Sequence, residues 1–545
     1  MWGRLENTVV DDIPELSSTD GWVERRAVAH DLWPRRLLER RRAKPLTLPE
    51  RVVWPSDDDQ IVSLVKEARR SLRPLIPFGA GSGVCGGISP DPRAFVIDMK
   101  KMNRLLGLDA DRRIVTVEAG LNGERLERLL NARGFTLGHF PSSIYCSTVG
   151  GWAATRSAGQ LSSRFGKIED MIVAIEGVDG RGQKIRAAID DPSTGPGALR
   201  LLIGSEGSLC IITRITLRVH PVPSHRWLRG FVFDRLDAAI PALQMLMEAG
   251  EAPSVIRLYD PMDTLLGGGA PPACDEPDRI LAGGISQSGL EDSGPRDGGE
   301  AGFLEAAVER LERLSLFERP SATRRIVGEL LARPRLSHSL LERVARQSKL
   351  IVGLEGSAAE IADRIPGLRG RLEALGARDA GDGPGAHWLR HRHRISYRMA
   401  RTFAAGGWVD TMEIATRWDG VMPVYQNMRR ALRDIALVTC HFSHAYRDGC
   451  SLYLTFVGGG TTGEGPRSAQ ARYDEVWDRA FAVVRQAGVA LSHHHGIGRS
   501  KAKALSLPAG NRSTFLALKS VLDPDGILNP GVLGIPGMFT VGGET

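Results

Sequence analysis

Three consecutive histidines stand in LSHHHGIGRSK, at residues 491–501. The protein has only 13 histidines among 545 residues, so this run indicates metal ligands, acid–base catalysts or a solvated polar turn. Imidazole exchanges protons near neutral pH, which suits the second reading. In an extended strand, His493 and His495 share one side and His494 takes the other. That geometry favours one or two side chains reaching into a site over three ligands closing on one ion.

Three stretches rich in small residues could hold an extended anionic cofactor. They are PFGAGSGVCGG at 77–87, PSSIYCSTVGGWAATRSAG at 141–159 and LIGSEGSLCIIT at 202–213. Glycine allows close backbone approach and turns that present N–H groups to an anion. A single glycine loop is weak evidence, and the first one lacks the acidic ribose-binding residue of a nicotinamide Rossmann site. The three together predict one cofactor that lies along a domain.

The elements around these stretches alternate between short strands and helices. Strands are predicted at LIPF, AFVIDM, RIVTVEAG and CIITRITLRV, and NGERLERLLNARG is a helix that ends at glycine. Residues 268–300 are rich in Gly, Pro and Asp and predict a linker, whereas 301–380 predict mostly helix. The helix SAQARYDEVWDRAFAVVRQAG leads into the histidines.

Composition limits the class of protein. The length predicts at least two domains, and 42% apolar with 25% charged residues is typical of globular proteins. A net charge of +7 fits acidic small molecules, phosphates or anionic surfaces, and no basic cluster mixed with aromatics predicts nucleic-acid binding. The six cysteines are scattered, and no signal peptide or membrane span is expected. These features favour a cytoplasmic protein with reduced thiols.

The three glycine stretches, with LKSVLDPDGILNPG at 518–531, resemble the FAD-linked oxidases of the vanillyl-alcohol oxidase type. The resemblance covers about residues 46–531 and implies an α+β fold, in which a two-subdomain FAD-binding domain is joined to a substrate-binding cap domain. The expected divisions are an N-terminal leader and helix at 1–45, the FAD-binding domain at 46–225, the cap with a helical insert at 226–480, and a C-terminal segment at 481–545 that returns to the flavin.

The resemblance also implies where FAD lies. No histidine stands at the positions where the family attaches flavin covalently, so non-covalent FAD is expected. The implied cofactor-binding residues are Pro77, Phe78, Gly79, Ala80, Gly81, Ser82, Gly83, Ser142, Ser143, Ile144, Tyr145, Cys146, Ser147, Thr148, Thr155, Arg156, Ser157, Ala158, Glu206, Gly207, Ser208, Leu209, Cys210, Ile211 and Ile212.

Two branches of the family compete for this sequence. The D-lactate and glycolate dehydrogenases carry a metal motif, H-x-G-D-G-N-x-H, followed later by G-E-H-G-I-G. Here SHAYRDGCSLYLTF at 443–456 places Tyr453 about where the second metal histidine belongs, and SHHHGIG places His494 at the glutamate. Both differences remove ligands that a divalent metal prefers. No bound metal is therefore expected, although His441 and His444 could in principle join the triple histidine around an ion.

The alkyldihydroxyacetonephosphate synthases resemble the sequence at both of these points. That resemblance implies that Tyr453 and His494 are catalytic, flanked by His493 and His495, and that Arg257 and Arg401 bind substrate. In this branch flavin is an electrophile toward acyl-dihydroxyacetone phosphate, and a fatty alcohol replaces the fatty acid without net redox change.

Other readings of the same residues stay open. Arg394, Arg398 and Arg401 would share one helix face, which suits a phosphate or is merely solvated. Without the resemblance, Tyr453 is predicted to be a half-buried strand residue, and Arg257 could form a structural ion pair. The implied partners are a phosphorylated lipid-like substrate and a fatty alcohol, without nucleic acid, and contact with a membrane surface and a homodimer both stay open.

Overall fold

A computed structural model describes residues 13–41, 44–189, 197–248, 252–267, 277–285, 331, 333–393, 402–403, 407–459 and 465–535. Arg394, Arg398 and Arg401 lie outside these ranges, as do 1–12 and most of 268–330. The roles predicted for those three arginines and for the 268–300 linker therefore stay predictions.

The first part of the chain builds two sheets. The first has the order β1-β2-β4-β3, with β1 (Ser17–Thr19), β2 (Arg51–Trp54), β3 (Leu75–Phe78) and β4 (Phe95–Asp98). Both β2 and β3 run parallel to β4. The second has the order β5-β6-β10-β8-β9, with β5 (Leu105–Asp109), β6 (Ile114–Glu118), β8 (Ile172–Asp179), β9 (Lys184–Ala188) and β10 (Cys210–Arg218). The short strands β7 (Phe135–Thr136) and β11 (His220–Pro221) pair with each other.

Helices cover these sheets, and their sequences set their ends. They are α1 (Trp22–Ala27), α2 (Pro34–Arg41), α3 (Asp58–Ser71), α4 (Gly123–Asn131), α5 (Val149–Thr155), α6 (Ser162–Phe165), α7 (Ile168–Met171) and α8 (Ala198–Leu202). Asp57 caps α3 by accepting the N–H of Gln60 at 2.9 Å, and Thr148 caps α5. The apolar side of α3, including Ile61, Leu64 and Val65, is fully buried against the first sheet. These caps place the start of α5 beside the glycine loop.

The second part of the chain builds one large antiparallel sheet. Its order is β14-β12-β15-β13-β18-β19-β17, and β16 pairs with β12 at its side. The strands are β12 (His225–Phe233), β13 (Val255–Tyr259), β14 (Leu281–Ala282), β15 (Ser348–Gly356), β16 (Arg378–Asp379), β17 (Gly407–Arg417), β18 (Leu437–Ala445) and β19 (Gly449–Gly459). The helices are α9 (Leu236–Glu248), α10 (Pro261–Leu266), α11 (Pro334–Val344), α12 (Ala358–Ala374), α13 (Gly383–His391), α14 (Trp418–Leu432), α15 (Gly465–Ala487) and α16 (Ala509–Leu522).

This sheet has one apolar and one polar face. Leu258, Leu350, Phe442 and Leu454 are fully buried in one core with residues of the helices α9, α12, α14 and α15. Alternate residues point to the opposite face, which carries the polar side chains of Arg257, His441 and Tyr453. Val255 and Ile351 on that face pack with the first part of the chain. The polar face of the cap sheet therefore looks toward the predicted flavin domain.

The C-terminal segment returns to the first sheet. Leu528 forms a parallel bridge with Leu75, whose N–H donates to the carbonyl of Ile527 at 2.8 Å. Asn529 donates its N–H to the carbonyl of Leu75 at 2.9 Å. The chain thus closes beside the strand that enters the first glycine loop, although the predicted domain boundaries themselves stay predictions.

One prediction about elements is incomplete and another is wrong. The described part of 301–380 is mostly helical as predicted, but it also contains the strand Ser348–Gly356, which lies inside the cap sheet. The histidine strand is a bent loop, and only Ala490 before it makes a bridge, to Ala415. Gly496 and Gly498 have φ of +81° and +55°, which an extended strand does not allow. The three rings are therefore not divided between two faces.

Candidate active site

The first glycine loop meets the small-residue stretch across a gap too narrow for a side chain. A Cβ on Gly79 would lie 2.3 Å from the Oγ1 of Thr148, the cap of α5. Gly81 has φ of +64° and faces the Phe78 ring. Asp31 closes the same loop, since its Oδ2 accepts the N–H of Gly87 at 2.8 Å. The loop and the N-terminus of α5 thus form one wall of a backbone cradle.

Glu206 and the histidine loop form the other wall. The carboxylate of Glu206 accepts the N–H of Ile497 at 2.6 Å and that of Gly498 at 2.9 Å. A Cβ on Gly498 would lie only 2.0 Å from the carbonyl oxygen of Cys85, which accepts the N–H groups of the next two residues at 3.0 Å. Glycine is required here because the chain needs both the left-handed backbone and the close approach.

Polar atoms without partners face this cradle. The Oγ of Ser205 and the Oδ1 of Asn529 are buried and accept or donate no hydrogen bond in the described part of the chain. The amide nitrogen of Asn529 donates to the carbonyls of Glu206 and Gly87, at 2.7 and 3.2 Å. Buried polar groups normally have partners. A polar cofactor with phosphates fits these atoms and the exposed backbone N–H groups of the glycine turns.

The other predicted flavin residues fall into two groups. Ser147 accepts the indole N–H of Trp152 at 2.8 Å, Arg156 donates to the carbonyl of Ile203, and Ser157 contacts His139. In contrast, four consecutive residues after Ser208 have their side chains buried in hydrophobic cores. They are Leu209, Cys210, Ile211 and Ile212. Only their backbones are available to a ligand.

A row of side chains crosses the polar face of the cap sheet. Strand pairing places Glu413 opposite Tyr453, Tyr453 opposite His441, and His441 opposite Tyr259. The ring of Tyr453 stacks on that of His441 with centroids 4.5 Å apart and planes at 13°. The ring of His494 also stacks on that of Tyr453, at 5.9 Å and 26°. Strand register therefore pairs His441 with Tyr453, and the histidine loop adds His494 to form a column of His441, Tyr453 and His494.

The three consecutive histidines converge with a fourth. The ring of His444 lies 5.2 Å from that of His493 and 4.9 Å from that of His494, and the Nδ1 atoms of His493 and His494 are 3.0 Å apart. His495 meets Tyr453 edge-on at 5.5 Å. The two predicted catalytic residues, Tyr453 and His494, are thus in one cluster.

A bulge in β18 turns His444 toward this cluster. The strand register shifts between Ser443 and Ala445, and His444 has a φ of +55°, which is uncommon for a residue with a side chain. Its Nδ1 lies 2.6 Å from the Oγ of Ser162 on α6. Such strain collects at functional sites. Single-sequence reasoning placed His444 only as a candidate metal ligand, because the bulge has no signature in the residue types.

Arg257 is linked to the column through His441. Its guanidinium NH2 donates to the Nε2 of His441 at 2.9 Å, and the Nδ1 of His441 lies 3.2 Å from Asp263. Because an arginine can only donate, Nε2 of His441 must accept, and Nδ1–H then donates to the carboxylate. The Nε of Arg257 is buried without a partner among the described residues. In the described part of the chain, the hydrogen-bond acceptor of the Arg257 guanidinium is thus an imidazole and not a carboxylate, and its role in substrate binding stays a prediction.

Four of these histidines, His441, His444, His493 and His494, are held uncharged by burial. Burial lowers the pKa of His441 to about 4 and that of His493 to about 3. Burial, reinforced by His495, keeps the pKa of His494 well below its usual value, and burial does the same for His444. Burial raises the pKa of Tyr453 to about 12, so its hydroxyl stays protonated and donates to Thr411 at 3.3 Å.

Among the described residues, no three side chains of His, Cys, Asp or Glu are arranged to hold a metal ion. The helices in the same ranges include none with the length and hydropathy to cross a bilayer. Arg401, predicted to bind substrate, lies outside the described residues.

Comparison with known proteins gives two family matches. The FAD binding domain matches residues 49–188, and the C-terminal domain of FAD linked oxidases matches residues 332–533. The chain belongs to the FAD-linked oxidase family. FAD is therefore its cofactor, and the α+β prediction of a flavin domain with a cap is confirmed.

Relatives of this FAD-linked oxidase are named alkyldihydroxyacetonephosphate synthase. The protein from Trypanosoma brucei brucei is 28% identical, over 89% of this chain and 73% of the relative, and that from Dictyostelium discoideum is 27% identical, over 88% and 72%. A solved structure titled alkyldihydroxyacetonephosphate synthase shares the fold with a TM-score of 0.68 at 24% identity, covering 94% of this chain and 82% of its own. The 2-hydroxy acid dehydrogenase alternative is the weaker one.

Proposed function

We propose that this enzyme exchanges the acyl group of acyl-dihydroxyacetone phosphate for a fatty alcohol without net redox change. The observation that carries the proposal is the ring column of His441, Tyr453 and His494 beside an incompletely paired arginine. The names of the relatives support the substrate class.

The charges around the column favour an anionic substrate. Glu413 is neutralised by Lys501, which donates to it at 2.8 Å, and Asp263 is engaged by His441. Among the described residues, the guanidinium of Arg257 therefore has no carboxylate of its own, and its buried Nε has no acceptor there. A buried cation is costly unless it is paired. A substrate phosphate or carboxylate would satisfy Arg257, and Arg401 is proposed to assist it.

His494 and Tyr453 suit opposite proton roles. A neutral imidazole can take the proton from carbon 1 of the substrate, and a nearby phosphate would raise the pKa of His494 toward a useful range. His493 can carry that proton onward, because its Nε2 lies 3.1 Å from the hydroxyl of Tyr446. Tyr453, whose pKa is raised to about 12, is suited to donate to the departing carboxylate. The remaining histidine, His495, packs edge-to-face against the Tyr453 ring.

FAD, when bound, supplies an electrophilic ring to the substrate. We propose that the backbone cradle holds it non-covalently along 77–83, 142–148, 155–158 and 206–212. Acid denaturation should then release free FAD from the yellow protein. Flavin that stays with the precipitate would show a covalent link instead.

Anaerobic mixing with 2-hydroxy acids separates the two candidate reactions. D-lactate, glycolate and D-2-hydroxyglutarate should leave the flavin absorbance unchanged, whereas labelled hexadecanol should enter the ether product in the presence of acyl-dihydroxyacetone phosphate. Rapid bleaching by any hydroxy acid, together with no ether product, would establish the dehydrogenase reading.

We also propose a cytoplasmic location with contact at a membrane surface. Leu336, Leu340 and Val344 are exposed at four-residue spacing on α11, which suits shallow insertion into a bilayer that carries both lipid substrates. Sedimentation with anionic vesicles should retain the wild type and release the variant with all three residues changed to Ser. The predicted homodimer is tested by mass photometry in the same preparations.

A further inference from the structure

The histidine loop is fixed by one buried carboxylate from a neighbouring strand. Glu413, on β17, is fully buried and accepts the backbone N–H of His494 at 3.2 Å and that of His495 at 2.8 Å. The hydroxyl of Ser492 donates to the same oxygen at 2.5 Å. The Nδ1 of His495 lies 3.1 Å from the second oxygen.

The same carboxylate has a fixed relation to Tyr453. Glu413 and Tyr453 are directly opposite in the β17–β19 pair, so their side chains share a sheet face. Thr411, two residues earlier on β17, accepts the hydroxyl of Tyr453. One strand therefore sets the position of both the tyrosine hydroxyl and the histidine loop.

Lys501 keeps this carboxylate ionised inside the protein. Its ammonium group is fully buried and donates to both oxygens of Glu413, at 3.0 and 2.8 Å. Although burial alone acts the other way, His495 and Lys501 hold the pKa of Glu413 well below its usual value. A charged acceptor binds N–H groups more strongly than a neutral one. The ion pair thus strengthens the anchoring of the loop.

We propose that Glu413 is a positioning residue, which holds His494 at its working distance from Tyr453 and the substrate. The kinetic part of this inference rests on the proposed function, whereas the anchoring itself does not. Glu413→Asp is the sharpest change, because it keeps the charge opposite Lys501 while it withdraws the carboxylate from the loop by one methylene.

The matched control is Asp410→Asn. Asp410 is a buried acid on the same strand, three residues away, but its Oδ2 accepts the hydroxyl of Tyr473 and the indole of Trp477 on the helical side of the sheet. This variant should lose stability and keep kcat within about threefold, because the hydrogen bonds of Asp410 in the described part of the chain go to Thr411, Tyr473 and Trp477 and none goes to the histidine loop.

Glu413→Asp should bind FAD normally, lower kcat about 10²-fold and change KM less than about threefold, as expected for a misplacement near 1 Å. Amide hydrogen exchange in 492–498 should become about tenfold faster, and it should be unaffected in Asp410→Asn. Wild-type kcat in Glu413→Asp would overturn the proposal, whether or not exchange accelerates.

If Glu413→Asp fails to fold or loses FAD, the double variant Glu413→Gln with Lys501→Met is measured instead, because it leaves no unpaired buried charge. A folded double variant with low kcat supports positioning, and one with wild-type kcat overturns it. If neither Glu413→Asp nor the double variant folds, the role of Glu413 is structural, and the proposal is overturned. If wild-type protein yields no ether product, the proposed function fails separately, and amide exchange still decides whether Glu413 anchors the loop.

Discussion

The flavin cradle and the histidine cluster are built in different ways. The cradle consists of turns, backbone N–H groups and glycines that leave no room for a Cβ, as at Gly79 and Gly498. The cluster consists of side chains that strand register and one bulge bring together around Tyr453. Changes in the cradle should therefore act through folding and FAD binding, whereas changes in the cluster should act through turnover.

The largest effect is expected at Gly498. Gly498→Ala combines a left-handed backbone with a Cβ 2.0 Å from the carbonyl of Cys85, so the free energy of unfolding should fall by about 4 kcal/mol or more, with loss of FAD. Gly488→Ala has a similar φ of +64° but nothing within 4 Å, and should cost about 1 kcal/mol. Thermal unfolding and FAD fluorescence measure both. Equal costs would refute the steric account of the cradle.

His494→Ala should reduce kcat by about 10²- to 10⁴-fold while FAD affinity changes little, because the cluster and not the cradle is altered. Ether formation and flavin titration are measured on the same preparation. His225→Ala, at the start of β12, is the control and should be close to wild type. Loss of FAD or solubility in His494→Ala would instead make the triple histidine structural.

A pair of tyrosines compares the two faces of the cap sheet. Tyr453→Phe removes the hydroxyl above the site, and kcat should fall about 10-fold to 10²-fold with little change in melting temperature. Tyr473→Phe removes the hydroxyl that donates to Asp410 on the helical face, and it should lower stability by about 1–2 kcal/mol with kcat retained. A lower kcat in Tyr473→Phe together with a lower stability in Tyr453→Phe would show that the catalytic side chains lie on the helical face of the sheet.

The last comparison concerns the pH dependence of the cradle. Burial raises the pKa of Glu206 from 4.5 to about 7, so the folded protein binds this proton more tightly than the unfolded chain. The stability that protonation of Glu206 contributes to the folded protein is complete below about pH 4.5, and it disappears as the pH rises through about 7. Glu206→Gln cannot titrate, so its stability relative to wild type should rise between pH 5 and pH 8, on the order of 1–3 kcal/mol. Parallel curves of melting temperature against pH would contradict this.

Sequence reasoning reached the two regions unequally. The glycine loop of the cradle is local, since a strand such as Leu75–Phe78 followed by glycines predicts its own turn. The cluster depends on pairing between distant strands, and neither Glu413 nor the bulge at His444 has a local signature. Tyr453 was identified as catalytic only through the family resemblance. The prediction of a strand at the three histidines was wrong because glycines with positive φ bend the backbone of this segment. The apolar run at Ser348–Gly356 was short enough to be mistaken for buried helix.

The return of Leu528 and Asn529 to the first glycine loop has a consequence for biosynthesis. The ribosome makes the loop at 77–87 early, but the residues that complete the cradle follow the whole cap sheet. A nascent chain therefore has no finished flavin site while the cap is being made. The complete flavin site can therefore form only after residues 528 and 529 have been synthesised.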